Sequence, residues 1–175
     1  MMRPRRLFFG FFLTVFLMPS VSVYAASKMA VIRADASIKG TLELAISQSG
    51  QSELRFGNVP SSPAPTEMGP LTVVIDVISN TGERYQLDQL LNGALQNENG
   101  DQIAVQNLKF KTSSQHSAGT VVPTPTPAST SSQTIFVSDM LGTSDTINAD
   151  YTLTAPANQP PGDYSMSLTY TVSAL

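Results

Sequence analysis

The sequence predicts an all-β protein built as an antiparallel β-sandwich, and three observations support this. Apolar residues recur at every second position through most of the chain, clusters of Gly, Pro, Asn and Ser separate the alternating stretches, and no long segment has the 3.6-residue period of a helix. The stretches differ in length, which favours two stacked sheets over a closed barrel of even strands. Because the chain has no cysteine, core burial and inter-strand hydrogen bonds must hold the fold together.

The N-terminal residues 1–25 have the pattern of a secretory signal peptide. A cluster of three arginines precedes an apolar run from Leu7 to Met18, and Val23 and Ala25 are the small residues at positions −3 and −1 before a cleavage site. The apolar run is shorter than the ~20 residues that span a bilayer. We therefore expect an exported chain without stable membrane insertion, with its domain formed by residues 26–175.

The charge of the chain argues against nucleic acid as a partner. Ten Lys and Arg stand against thirteen Asp and Glu, and three of the ten basic residues lie in the signal peptide. Its removal leaves seven basic against thirteen acidic residues, a net charge of −6. Such a surface repels phosphate backbones and anionic lipids alike.

Alternating stretches begin directly after the cleavage site. The first runs from Met29 to Ile38 and the second from Leu42 to Ile46, and a shorter strand is predicted at Leu54–Phe56. In the first stretch, one face carries only aliphatic side chains: Ala30, Ile32, Ala34, Ala36 and Ile38. The opposite face of that stretch carries Val31, Arg33, Asp35 and Ser37.

The middle of the chain contains a predicted hairpin. Residues 71–78 are apolar on both faces, as in a central strand, and a turn at Ser79–Gly82 leads into a returning strand at Glu83–Leu87. The spacing of apolar residues in Leu87–Leu95 predicts a single turn of helix. Two further strands are predicted, at Gln102–Phe110 and Gln133–Val137.

The last two strands have the clearest alternation. Ile147, Ala149, Tyr151 and Leu153 share one face of the first, with polar residues between them. A turn at Gln159–Gly162 then begins a C-terminal strand, whose apolar face consists of Tyr164, Met166, Leu168, Tyr170 and Val172. Because its other face carries small hydroxyl side chains, we expect this strand to be buried on one side only.

Two segments are predicted as loops from their composition. Residues 60–70 carry four prolines, and residues 113–132 are rich in Ser, Thr and Pro. The pieces on either side of 113–132 are too short to form separate cores, so we interpret this segment as a surface loop of one domain. The predicted fold class is therefore an immunoglobulin-like antiparallel β-sandwich, a single domain after an N-terminal signal peptide.

The sequence does not indicate catalysis, a metal centre or a cofactor. Its one histidine, His116, lies in the Ser/Thr-rich loop between Gln115 and Ser117, which offer no partner for acid–base or metal chemistry. Phosphate-binding glycine loops and nucleophile elbows are absent from the sequence. The scattered carboxylates nominate no pair for glycoside hydrolysis. We therefore expect a structural or adhesive protein rather than an enzyme.

Several short motifs resemble those of bacterial surface β-sandwiches. Leu54-Arg55-Phe56-Gly57 resembles a Phe-Gly landmark that follows their first strand pair. The middle strands follow in the same order: Val77–Asn80, Tyr85–Leu87, Asn92–Leu95 and Leu108–Phe110. The most specific part is the proline-bearing turn 157–162 with the tyrosine-led strand 164–172. The pattern is similar to that of chaperone–usher pilin subunits, especially their cysteine-free class, and of the WxL cell-wall surface proteins of Gram-positive bacteria.

The pilin resemblance implies an incomplete sandwich whose missing strand comes from a neighbouring subunit. It implies Met29–Ile38 as the donated strand, inserted by its aliphatic face, and Tyr164–Val172 as the border of the receiving groove. The implied partners are like or related subunits, with a periplasmic chaperone and an outer-membrane usher during transit. The protein would then be an exported structural subunit of a pilus or surface fibre that serves adhesion, located in the periplasm in transit and finally at the cell surface or in a fimbrium.

Two alternatives stay open at this point. The WxL resemblance implies a monomeric binding module of the cell wall or matrix, although the chain has no tryptophan and Tyr170-Thr171-Val172 stands in place of the family's closing motif. Independently of either family, Met29–Ile38 is equally consistent with the first strand of a complete, monomeric sandwich.

Overall fold

The structure is a computed structural model that describes residues 40–47, 53–116 and 119–175. The predicted signal peptide and the predicted donated strand, Met29–Ile38, lie outside these residues. The described chain consists of antiparallel strands, connecting turns and one short 3₁₀ turn at Val105–Asn107, so the prediction of an all-β protein is confirmed. Among the described residues, no helix is long and apolar enough to cross a membrane.

Twelve strands are described, numbered here in chain order. They are β1 Leu42–Ser47, β2 Glu53–Val59, β3 Thr66–Ser79, β4 Tyr85–Leu91, β5 Leu95–Gln96, β6 Gln102–Ile103, β7 Leu108–Ser114, β8 Thr120–Val121, β9 Thr126–Pro127, β10 Gln133–Val137, β11 Asp145–Ala155 and β12 Gly162–Ala174.

These strands form two antiparallel sheets that pack together in the manner of a sandwich. The first sheet has five strands in the order β1–β3–β11–β7–β9. In the second sheet, β12 pairs with β2, β4 and β5, while β10 and β8 extend the sheet beyond β4, and β6 extends it beyond β5. The apolar faces of both sheets contribute to one buried core.

β11 illustrates why these residues form strands. Its side chains alternate between buried and half-buried along the whole strand, and Ile147, Ala149, Tyr151 and Leu153 are fully buried, as the sequence predicts. The strand pairs with β3 on one side and β7 on the other, so each buried side chain lies in the centre of a sheet. The period of two is therefore the pattern of a central strand with one face on the core.

The predicted turn of helix at Leu87–Leu95 is wrong, because this segment continues the sheet. Tyr85, Leu87, Gln89 and Leu91 of β4 point into the core at every second position, and Leu90 is left 38% exposed on the outer face. Pairing with β12 on one side and β10 on the other satisfies the backbone and overrides the helical spacing.

The predicted surface loop 113–132 is more ordered than its composition suggests. It contributes the two-residue strands β8, which pairs with β10, and β9, which pairs with β7. Thr112, just before it, explains part of this order: its hydroxyl donates to the carbonyl oxygen of Ile135 and accepts from the N–H of Val122, both at 2.8 Å. Three apolar side chains of the segment also pack on the core and hold it against the sheets: Val121, Val122 and Ala128.

A hydrogen-bonded polar bridge crosses the core and connects the two sheets. The hydroxyl of Tyr151 in β11 donates to Oε1 of Gln89 in β4, and it lies 2.8 Å from the hydroxyl of Tyr170 in β12. Outside this three-residue bridge, Nε2 of Gln89 donates to Oε1 of Gln133 at 3.4 Å. Because the Tyr151 proton is used on Gln89, Tyr170 is the donor to Tyr151. All three residues of this bridge are buried and paired, as buried polar groups must be.

Candidate strand-exchange site

The C-terminal strand β12 consists of two halves that differ in their pairing. In the first half, residues 162–167 pair with β2, and Ser165 pairs on its other side with Gln96 of β5. In the second half, residues 168–174 pair with β4. Function depends on whether residues 168–174 also have a partner on the side of β12 that faces away from β4.

β4 and β5 lie on the same side of β12. The N–H of Asn92, which directly follows β4, donates to the carbonyl oxygen of Ser167 at 3.2 Å. The chain therefore stays on the same side of β12 from β4 to β5. The side that β2 occupies is therefore the opposite one. Within the described ranges, no strand pairs with that side along residues 168–174. We call this stretch the open edge.

Half-buried aliphatic side chains flank the open edge. Leu168 and Val172 of β12 pack on the core but keep part of their surface exposed, as do Leu42 and Leu44 of β1. β1 is the outermost described strand of the first sheet and contacts β12 across the sandwich. One strand edge from each sheet thus presents apolar groups that a further strand would cover.

The five predicted groove residues of β12 lie in two settings. Tyr164 and Met166 are buried in the half of the strand that is paired on both sides. Leu168, Tyr170 and Val172 lie in the half that carries the open edge. The predicted donated residues Ala30, Ile32, Ala34, Ala36 and Ile38 lie outside the described residues.

A hydrogen-bonded turn fixes the start of β12. The hydroxyl of Tyr164 donates to the carbonyl oxygen of Pro160 at 2.8 Å and accepts from Nε2 of Gln159, also at 2.8 Å. The same Nε2 donates to the carbonyl oxygen of Gln102 at 3.2 Å. A Cβ on Gly162 would lie 3.0 Å from Asn97 Nδ2, so glycine permits the close packing of this turn. These contacts hold the register of the strand that carries the open edge.

The tyrosines behind the open edge stay uncharged. Burial is the main cause that raises the pKa of Tyr170 far above its ordinary value, and the neighbouring Tyr151 adds to the shift. Burial likewise raises the pKa of Tyr151. Both hydroxyls are therefore neutral hydrogen-bonding groups at any pH that the fold tolerates, and they leave the floor of the site without charge.

A carboxylate and an imidazole meet at one end of the first sheet. Asp145, whose side chain is buried, accepts from the hydroxyl of Ser114 at 2.6 Å and from the N–H groups of Thr146 and His116 at 2.7 and 3.0 Å. Nδ1 of His116 lies 3.7 Å from Asp145 Oδ1. His116 is exposed in its loop, as expected, but the fold also brings beside it a carboxylate 29 positions away, which its sequence neighbours do not reveal.

The arrangement around Asp145 does not match a nucleophile relay. In a hydrolytic triad the imidazole stands between the hydroxyl and the carboxylate, whereas here the carboxylate stands between Ser114 and His116. Asp145 instead ties the start of β11 to the end of β7. Within the part of the chain that the structure describes, no group of three or more His, Cys, Asp or Glu side chains could hold a metal ion.

Comparison with known proteins finds no family model that matches the chain and no matching curated relative. The open edge and the side chains around it are therefore the basis for any conclusion about function.

Proposed function

We propose that the chain is a structural subunit of an exported pilus or surface fibre, a non-catalytic immunoglobulin-like β-sandwich that assembles by β-strand complementation. The observation that carries this proposal is the pairing of residues 168–174 of β12 on one side only among the described residues. Such an edge accepts a further strand through main-chain hydrogen bonds, and pockets for alternate side chains select which strand it accepts.

Met29–Ile38 of a neighbouring copy is the segment that suits this edge. Its sequence alternates between an aliphatic face and a largely polar face, which is the pattern of a strand with one side on a core. Its ten residues exceed the seven of the open edge, so one segment is long enough to cover the edge. Leu42, Leu44, Leu168 and Val172 are the half-buried groups that the inserted face would cover.

Export and partners follow from the same proposal. The N-terminal signal pattern directs the chain across the membrane. Because an uncovered apolar edge pairs with other chains and aggregates, a periplasmic chaperone would cover it in transit, and an outer-membrane usher would order its exchange for the donated strand. The assembled fibre would then lie at the cell surface and serve adhesion.

Ile32→Asp tests this proposal, because it places a charge on the face that would enter the core. We expect the variant to be exported and folded but to lose the denaturant-resistant ladders that strand-exchanged polymers form. Val31→Asp is the matched control, since Val31 is an apolar neighbour on the opposite face, and it should assemble normally. Gel electrophoresis after mild denaturant measures both.

Two results would contradict the proposal. Ladders that persist equally in Ile32→Asp and after deletion of residues 28–38 would show that this segment is not the donated strand. A wild-type chain that stays monomeric and co-sediments with purified cell wall would favour the monomeric wall-binding alternative.

A further inference from the structure

The connection between β10 and β11, residues 138–144, presents two large apolar side chains to solvent. Met140 is 74% exposed and Leu141 is 72% exposed, the highest values among the described large hydrophobic residues. We call this connection the apical loop. Single exposed hydrophobic residues are common on protein surfaces, whereas Met140 and Leu141 are adjacent on one loop and form a candidate contact surface.

The apical loop is held in one conformation. The carboxylate of Asp139 accepts from the N–H of Thr143 at 2.9 Å and from its hydroxyl at 2.7 Å, and these bonds lower the pKa of Asp139. Gly142 has a φ of 60°, and a Cβ there would lie 1.9 Å from the carbonyl oxygen of Glu83. Met140 and Leu141 are thus presented by a preorganised loop, which lowers the entropic cost of a contact.

The described domain begins at the same end of the molecule as the apical loop. The N–H of Asn80 donates to the carbonyl oxygen of Thr41 at 3.0 Å, and the N–H of the neighbouring Ser79 donates to the hydroxyl of Ser144 at 2.9 Å. Residue 40, which follows the proposed donated strand in sequence, is therefore at the apical end.

The opposite end of the molecule has a proline-rich, uncharged surface. It is formed by residues 60–65 and 156–161, which contain six prolines and no charged residue. The N–H of Asn158 donates to the carbonyl oxygen of Ser62 at 2.6 Å, so the two segments form one surface, which we call the basal surface. Proline rings are apolar and have little conformational freedom to lose, so this surface is suited to methionine and leucine side chains.

The apical loop and the basal surface cannot meet within one molecule. β11 connects them directly, and its eleven residues separate them by about 35 Å at ~3.3 Å per residue. A contact between two different patches of the same chain is head-to-tail, and repeated copies of it form a filament rather than a closed dimer.

We propose that the apical loop of one copy docks on the basal surface of the next copy along the fibre. This inference rests on the proposed function, and the geometry of strand exchange agrees with it. A donated strand that pairs antiparallel with the open edge starts at the C-terminal end of β12 and runs toward the basal end. Seven of its residues pair with 168–174, and because β2 occupies the same side of β12 along 162–167, the next residues up to 40 leave the sheet there. In extended form these five residues span about 17 Å, so residue 40, and with it the apical loop, comes toward the basal end of the acceptor.

Single-cysteine variants test this contact, because the chain has no cysteine of its own. Full chains carrying Met140→Cys are mixed with full chains carrying Ala157→Cys, a basal residue, and oxidised under assembly conditions. We expect a disulfide-linked heterodimer. Leu90→Cys, which is exposed on the outer face of β4 away from both ends, replaces Met140→Cys in the control and should give only background cross-linking.

The cross-link and the ladders together separate the two proposals. Ladders without a cross-link above the Leu90→Cys background overturn the apical contact and leave strand exchange standing. A cross-link without ladders supports the end-to-end contact and overturns strand exchange, and the absence of both overturns both.

A second variant checks the apolar character of the contact. Met140→Ser combined with Leu141→Ser alters only exposed side chains, so we expect a folded chain whose ladders dissociate at lower denaturant than those of the wild type. Ile78→Ser, at a residue 54% exposed on β3, is the matched control and should not shift the ladders. Unchanged ladders in the double variant contradict the proposal. It is also contradicted if the wild type binds phosphatidylcholine vesicles, the double variant does not, and the Met140→Cys and Ala157→Cys chains give no cross-link. That combination would assign the loop to a membrane.

Discussion

Tyr151 is the residue that joins the two sheets by a polar contact inside an apolar core. Its hydroxyl donates to Gln89 of β4 and accepts from Tyr170 of β12, so three strands are connected at one point. A chain without cysteine has no disulfide between its sheets, and satisfied buried hydrogen bonds supply a directional link in its place. The link also fixes how the face of β11 lies on the second sheet.

We expect Tyr151→Phe to lower the free energy of unfolding by about 1–3 kcal/mol, because it leaves the buried Oε1 of Gln89 without its donor. Urea denaturation measures the loss. Tyr85→Phe is the matched control: Tyr85 is itself buried, but its hydroxyl donates to the carbonyl oxygen of Thr143, and Thr143 is an exposed residue whose oxygen water can reach. Equal losses in the two variants would contradict the role given to the polar bridge.

Residue-level predictions from the sequence succeed for apolar positions and fail for polar ones. Alternation alone predicts the inward face of β11, because burial of apolar side chains is favourable and their positions in the sequence therefore mark the buried face. Gln89 is completely buried yet gives no such signal, since a glutamine in a sequence is ordinarily read as exposed. The carboxylate partner of His116 is missed for a related reason, because only the folded sheet brings Asp145 next to it.

At the scale of elements, the open edge cannot be read from the sequence of β12. The strand alternates in the same way along both of its halves, and the difference between them arises because β2 ends its pairing at Ser167. Where one strand stops along another depends on the path of the chain between the sheets. The C-terminal strand itself is predicted correctly, whereas its unpaired side is a property of the assembled sheet.

We expect Val172→Asp to prevent assembly, because it places a charge where the donated strand would cover a half-buried side chain. Thr171→Asp is its matched control, since Thr171 is exposed on the outer face of the same strand, and it should assemble as the wild type does. Size-exclusion chromatography of the two variants measures assembly. Polymers of normal size from Val172→Asp would argue against this edge as the receiving site.

At the scale of the whole molecule, the two-layered, all-β architecture is predictable and the strand order is not. Short alternating stretches with turns between them require two facing apolar surfaces, whatever their order. The central pairing of β3 with β11, however, joins residues as distant in sequence as Asp76 and Thr146, which are 70 positions apart. Two-residue strands such as β8 and β9 form only because longer strands are already in place beside them.

The buried tyrosines predict how stability depends on pH. Burial raises the pKa of Tyr85 to about 12, helped by the charges of Asp145 and Asp139, and burial raises the pKa values of Tyr151 and Tyr170 further. The unfolded chain loses these protons near pH 10, so the stabilisation is complete below that pH and is lost as the pH rises through the folded values. We expect the urea midpoint to fall from about pH 10 upward.

A pH series of urea denaturation curves, read beside phenolate absorbance, checks this prediction. Phenolate absorbance from the buried tyrosines should appear together with unfolding rather than before it. A midpoint that stays constant while these tyrosines ionise would show that their hydroxyls are not held in the core.

The pairing of Met29–Ile38 with the open edge of another copy is tested most directly by thiol cross-linking of the chain that carries both Arg33→Cys and Thr171→Cys. In the proposed pairing the two residues would face outward on adjacent strands, within the about 8 Å that separates diagonal cross-strand neighbours, which a short bis-maleimide spans. We predict a covalent ladder of multimers. A cross-linked monomer would mean that the segment folds back on its own molecule, and it would contradict assembly by strand exchange.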